Sequence, residues 1–233
     1  MMRRSLSGTM PPADMNRTIV FDLDDTIYLE SDYVQSGKRA VAGLIRDTVG
    51  IDLAQDLLDC PDNFIDLACT RAGFPASAAD ALIWCYRLHF PDIGQRPGMA
   101  ALFDALAARG DRICIITDGR AVTQRLKLAA LGLLHVPAYI SEELGATKPS
   151  PVAFQQVMQD FPGSAYFYVA DNCRKDFIGP NGLGWTTIWL DPGPLSIHRA
   201  PPDIAEHDGN RPGHSIGTIE QLAQLLLHEQ RMP

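Results

Sequence analysis

The chain has no apolar run approaching the ~20 residues that cross a bilayer. Its opening residues, Met1-Met2-Arg3-Arg4 onward, lack the apolar stretch of a secretory signal. Positive charge is in deficit: 20 Lys and Arg stand against 28 Asp and Glu, a net −8. That balance argues against non-specific nucleic-acid binding and against docking on an anionic membrane. Cysteine is sparse and unpaired in pattern. Cys60, Cys69, Cys85, Cys114 and Cys173 are odd in number, contain no Cys-x-x-Cys, and fit no zinc spacing. They read as reduced thiols, and the chain as cytoplasmic. There is no internal repeat and no low-complexity tract. What remains is ordinary globular material, 233 residues with 46% hydrophobic, enough for one core domain and a smaller insert.

Residues 1–16 are polar, carry Pro11-Pro12 and read as a disordered lead. The folded pattern starts only at Arg17, so Met10 and Met15 are candidate starts as well. Thr18-Ile19-Val20-Phe21 is a short buried strand. Residues 31–92 then show helical periodicity in four segments with no strand signal: one through Val49 stopped by Gly50, one around Leu53, Leu57 and Leu58, one from Phe64 to near Gly73, and one around Leu82 and Leu88 ended by Pro91. From Pro97 the pattern alternates. Helices are expected from Met99 to Arg109, Ala121 to Leu131, Pro151 to Asp160 and Ile219 to Gln230. Strands are expected over Arg112 to Ile116, Ala138 to Ser141, Ala165 to Ala170 and Thr186 to Leu190. Residues 192–212, rich in Pro, Gly, His and Arg, read as loop. Such alternation predicts an α/β fold, a parallel sheet covered on both faces, with an all-helical insertion after the first strand.

The first strand runs into Asp22-Leu23-Asp24-Asp25-Thr26. Asp22 and Asp24 sit two apart, so in extended backbone their side chains share a side, roughly 6–7 Å apart. Two carboxylates at the end of a buried strand repel and lose hydration, and a hard divalent cation would remove that cost. The bland alternative is an acidic turn capping the next segment. Sites in open parallel sheets form beyond the carboxyl ends of strands. There the sequence places Thr117-Asp118-Gly119-Arg120 after the second strand, Lys148-Pro149 after the third, and Asp171-Asn172 with Asp176 after the fourth. Taken singly, Thr117 could be a cap, Lys148 a solvated lysine and Asp171-Asn172 a loop. Together they assemble a hydroxyl, an ammonium and four carboxylates at one sheet edge.

In this order and spacing the motifs Asp22-Leu23-Asp24-Asp25-Thr26, Thr117, Lys148-Pro149 and Asp171-Asn172-Cys173-Arg174-Lys175-Asp176 resemble the haloacid dehalogenase superfamily of phosphohydrolases. The resemblance covers about residues 17–190. Ile116-Thr117-Asp118-Gly119-Arg120 and Gln124-Arg125-Leu126-Lys127 are similar to pyrimidine-nucleotidase-like and sugar- or polyol-phosphatase-like members. It implies a Rossmann-like catalytic core, residues 17–30 and 93–233, and a helical C1-type cap, residues 31–92. It also implies a small phosphorylated metabolite as substrate, a sugar, polyol or nucleoside monophosphate, acting as monomer or homodimer. Asp22 would attack phosphorus to form an aspartyl-phosphate, and Asp24 would act as acid and then base. Thr117, Asp118, Gly119 and Lys148 would hold the phosphate. Mg²⁺ would be held by Asp22, the Asp24 carbonyl and Asp171, with Asn172 and Asp176 supporting from behind. Two positions depart from relatives: Ala170 stands where Gly is common, and Asp118 where Asn is common. Tyr28, Glu30, Tyr33, Arg71, Arg87 and His89 are polar or aromatic groups on or near the insert, with no place in the site assigned. A phosphotransferase or mutase would share every motif and is the alternative. A 2-haloacid dehalogenase is disfavoured by Asp24, because a halide needs no acid. A dead scaffold is disfavoured by the intact set.

Overall fold

The computed structural model describes residues 16–191, 193 and 208–228. All but the last residue of the lead expected at 1–16, and most of the loop expected at 192–212, lie outside the described residues. Five runs pair as the β-branched sequence suggests: β1 (Arg17–Phe21), β2 (Arg112–Thr117), β3 (Ala138–Ile140), β4 (Ala165–Ala170) and β5 (Thr186–Leu190). A sixth strand, β6 (His214–Ile216), has only three residues and no apolar run, so periodicity does not reveal it. All pairs are parallel, and the order is β3-β2-β1-β4-β5-β6.

The described helices are α1 (Glu30–Val49), α2 (Ala54–Asp59), α3 (Phe64–Ala72), α4 (Ala79–Leu88), α5 (Met99–Ala108), α6 (Ala121–Ala130), α7 (Ser141–Leu144), α8 (Val152–Asp160), α9 (Ile178–Gly182) and α10 (Ile219–His228). Short α7 and α9 escape the sequence reading, because four or five residues give no helical period. Ser141, expected to end a strand, instead starts α7.

The chain divides into two compact units. One contains the described residues up to Leu29, Gln95–Ala121, and those from His135 onward. Its apolar packing includes Val20, Ile116, Phe154, Tyr168, Phe177 and Trp185. Cys114 and Cys173 lie in the same cluster, and burial pushes both thiols up to about 12. All five cysteines are free. The other unit is Glu30–Gly94 with Val122–Leu134. Val41, Ile45, Leu53, Leu57, Ala68 and Leu82 form its core. The sequence pattern assigns residues 122–134, with their expected helix, to the catalytic core, whereas contacts group them with Glu30–Gly94. Within that unit Thr123 donates to the Arg87 carbonyl at 3.2 Å, and the Lys127 ammonium lies 4.3 Å from the Tyr33 ring centre.

Strand order fixes where a site can form. From β1 the chain steps to β2 and β3 on one side, then returns to β4 on the other, so the direction of winding reverses between β1 and β4. A crevice opens there beyond the strand ends. Phe21 pairs with Ile115 and with Val169. The register therefore carries Asp22 level with Ile116 and Ala170, one residue short of Thr117 and Asp171.

Candidate active site

Asp22 continues the ladder one residue past β1, its N–H donating to the Val169 carbonyl at 2.9 Å. Its carboxylate is thereby aimed into the crevice by sheet geometry rather than by a mobile loop. The chain then turns sharply: Asp25 has φ 54°, in the left-handed region that Asp tolerates better than most residues. Arg96 pins this turn, donating to the Asp25 and Asp191 carbonyls at 3.3 and 3.1 Å.

Asp22, Asp171 and Asp176 each place a carboxylate oxygen within 4.8 Å of the others, and all three are buried. Lys148 enters from the loop beyond β3. Its ammonium donates to Asp22 Oδ1 at 2.6 Å and to the Tyr168 hydroxyl at 3.1 Å, and lies 2.8 Å from Asp176 Oδ1. Asp176 Oδ2 accepts the Asn172 N–H at 3.0 Å, and its buried Oδ1, which accepts no hydrogen bond, is ion-paired with the Lys148 ammonium. Asp171 Oδ2 is buried too and accepts no hydrogen bond, while the Asp171 backbone carbonyl takes the Trp189 indole N–H at 2.6 Å.

The electrostatics follow from burial. Burial is the largest force on Asp22 and raises its carboxyl to about 7 despite the Lys148 ammonium beside it, with Asp176 adding to the rise. Burial and the Asp22 charge push Asp171 up to about 9. Burial works against the Lys148 ammonium, but Asp176 and Asp22 outweigh it and hold its pKa well above the usual lysine value. Three buried carboxylates thus face one ammonium. If all ionise, two negative charges are left uncompensated in low dielectric, the deficit that one divalent cation fills. The unpartnered Asp171 oxygen is the atom from which such an ion would take a ligand. The donor set, all oxygen, suits a hard cation.

The other sequence-named residues of this compact unit have these partners. Thr117 ends β2 and is buried. Gly119 donates its N–H to Ser141 Oγ at 2.9 Å, so that donor is held within the protein. Asp24, half-buried, accepts a short hydrogen bond from the Tyr28 hydroxyl. Asp118 accepts the Lys148 backbone N–H on Oδ1 at 3.1 Å and the Lys175 ammonium on Oδ2 at 2.9 Å. Asn172 turns inward on its own loop, its Oδ1 accepting the Arg174 N–H at 3.1 Å. His89 and Tyr33 belong to the helical unit, where the His89 ring bonds the Tyr86 carbonyl and Ser36 Oγ.

Sequence reasoning left three participants without roles. Tyr168 is a fully buried aromatic with a polar tip in β4, two residues before Ala170. Tyr28 stands four residues after Asp24. Lys175 precedes Asp176 in the fourth motif. The first two carry a usable signal, a hydroxyl where only apolar surface is expected. Lys175 carries one only in retrospect, through its partner Asp118.

A model of the haloacid dehalogenase-like hydrolase family matches residues 16–179. A glyceraldehyde 3-phosphate phosphatase of Methanopyrus kandleri is 27% identical, covering 90% of this chain and 100% of its own. A ribulose-1,5-bisphosphate 5-phosphatase of Halopiger xanaduensis is 25% identical over 94% of this chain and 91% of its own. Among solved structures, the HAD-hydrolase YfnB of Bacillus subtilis, bound to magnesium, has the same fold, with a TM-score of 0.62 at 22% identity, covering 92% of this chain and 100% of that one.

Proposed function

Because the chain belongs to the haloacid dehalogenase-like hydrolase family, we propose that it is a Mg²⁺-dependent phosphatase releasing phosphate from a small sugar-type phosphomonoester through an aspartyl-phosphate. The observation that carries this reading is the group Asp22, Asp171, Asp176 and Lys148 at the β1/β4 reversal. The sugar-phosphate class is supported by the two phosphatase relatives, whose own substrates are phosphorylated sugars. Polyol phosphates and nucleoside monophosphates belong to the same chemical range.

In this mechanism an Asp22 oxygen forms a bond to phosphorus while the ester oxygen leaves. Asp24 delivers its proton to that leaving oxygen. A water then attacks phosphorus, the Asp22–phosphorus bond breaks, and Asp24 takes the proton from the water. The Tyr28 hydroxyl holds the Asp24 carboxyl in place between the two transfers. Lys148 fixes Asp22 and supplies positive charge toward the phosphoryl group, and Thr117 offers a hydroxyl at the end of β2. The residues that would hold Mg²⁺ are Asp22, Asp171 and the Asp24 backbone carbonyl, with Asp176 behind them. When bound, the ion neutralises charge shared by the carboxylates and the phosphate.

The test is phosphate release from triose, pentose and hexose phosphates, polyol phosphates and nucleoside monophosphates, with Mg²⁺ and with EDTA. Metal-dependent release from the sugar phosphates is expected. Release that persists in EDTA would contradict the metal requirement. Transfer of the phosphoryl group to a second sugar, without release to water, would establish the mutase instead.

Metal binding also has a pH signature. The folded state holds protons on Asp22 and Asp171 up to about 7 and about 9. The unfolded chain releases them near the ordinary carboxylate value of 3.8. Stability of the metal-free protein therefore falls as pH rises from there through about 9. Mg²⁺ competes with those protons, so it binds more tightly as they leave. The rise in Tm on adding Mg²⁺ is expected to be larger at pH 9 than at pH 6. An equal rise at both would show that Asp171 is already ionised at pH 6.

A further inference from the structure

The fourth motif and the end of β2 are joined by a contact that the mechanism above does not use. Asp118 stands among the residues expected to bind phosphate, yet a carboxylate has no proton to donate to a phosphate oxygen and repels a dianion. Its two oxygens are instead given to two lysines. Oδ1 accepts the Lys148 backbone N–H at 3.1 Å, and Oδ2 accepts the Lys175 ammonium at 2.9 Å. A carboxamide could accept at one of these positions only and would turn an N–H toward the other. Lys148 in turn meets Asp22 at 2.6 Å and Asp176 at 2.8 Å, and Asp176 is the neighbour of Lys175 in sequence. Lys148 thus links Asp118, through its backbone N–H, to Asp22 and Asp176, through its ammonium. The Lys175 side chain keeps 38% of its surface exposed, against 2% for Lys148. One lysine is thus locked in the interior, and the other is open to a ligand.

We propose that Asp118 and Lys175 form a matched pair in which Asp118 positions Lys148 through its backbone, and Lys175 both cancels the Asp118 charge and offers the arriving phosphate a second cation. This rests on the reading that phosphate is held at this edge. Asp118 is then a positioning residue rather than a phosphate ligand. Lys175 supplies the donor that Asp118 cannot. The identities of the two positions are linked: an aspartate at 118 is tolerable beside a phosphate because a lysine stands at 175.

The test is calorimetric binding of inorganic phosphate to the full chain with Mg²⁺ present, alongside KM for any hydrolysed ester. Lys175→Met leaves Asp118 negative and unmatched, and phosphate binding is expected to weaken about tenfold, the scale of one charge-assisted contact. Lys175→Arg keeps the charge and is expected to stay within roughly threefold of the native chain. Adding Asp118→Asn to Lys175→Met removes the unmatched charge, and the double variant is expected to bind phosphate more tightly than Lys175→Met alone. A pair that serves only the fold predicts phosphate binding unchanged in all three variants, with the effect confined to their melting temperatures. Thermal melts of the variants confirm that each is folded, and the arginine variant carries the test should the methionine variant not fold. The proposal is overturned if Lys175→Met binds phosphate like the native chain, if the double variant binds no more tightly than the single, or if the native chain binds no phosphate. Failure of the phosphatase reading shows separately, as no release from any ester while the phosphate-binding series keeps its order.

Discussion

Asp22→Asn is expected to lower phosphate release by roughly 10⁴-fold or more, because a carboxamide oxygen is a poor nucleophile and no other carboxylate stands in its place on β1. The same substitution is expected to leave the metal-free fold at least as stable as the native chain above pH 7. There the native protein ionises a carboxyl that burial has pushed up to about 7, beside Asp176 and Asp24. Asparagine of nearly the same shape has no charge to bury. Inactivity with undiminished stability separates a chemical role from a structural one, and assays with Mg²⁺ paired with urea unfolding at pH 8 measure both. Substantial remaining activity would mean that the nucleophile lies elsewhere. Loss of the fold would mean that Asp22 is chiefly a structural anchor.

Lys148→Met is expected to do the opposite to stability. It removes the ammonium that Asp22 and Asp176 share and leaves both carboxylates buried without a cation. Breaking a buried pair from one side costs about 3–5 kcal/mol, because the stranded charge keeps its desolvation penalty. Without the ammonium that opposes the effect of burial, the Asp22 carboxyl, already raised to about 7, holds its proton to higher pH, so the loss deepens as pH rises through that value. Activity is expected to fall about 10³-fold, since the charge opposing the phosphoryl group is gone. Denaturant unfolding at pH 5 and pH 9 reads the stability effect. Equal stability of variant and native chain at pH 9 would show that water already reaches this cluster.

The sequence makes the centre of this site legible and its surroundings much less so. Asp22 and Asp171 directly follow apolar runs and Lys148 lies beyond a third, so the rule that sites lie beyond strand ends brings them to one edge before any coordinates exist. The reversal between β1 and β4, which decides that Asp22 and Asp171 are neighbours, follows from pairing rather than from any local signal. Tyr168 shows in the sequence only as part of a strand, because period-two patterning cannot say that a tyrosine hydroxyl finds an ammonium at 3.1 Å. The motif suggests Gly119 as a phosphate donor and gives no hint that its N–H also meets a serine at the start of α7. Asp118 shows most clearly what a motif leaves out. The sequence shows it only as a departure from the usual asparagine that adds negative charge, and the partner at position 175, 57 residues away in sequence, shows how that charge is met. Strand β6 and helices α7 and α9 are too short for any period to show. The grouping of residues 122–134 with the helices depends on contacts such as Lys127 over Tyr33, between residues far apart in sequence.

The central claim is that Asp22 carries the phosphoryl group during turnover. The direct measurement is rapid acid quench of the native chain while it hydrolyses its best phosphomonoester with Mg²⁺, followed by mass spectrometry of the peptides. The account predicts one phosphoryl group on the peptide containing Asp22, localised to that residue and absent in Asp22→Asn. Turnover with no phosphorylated peptide, or with the label on another residue, would contradict it.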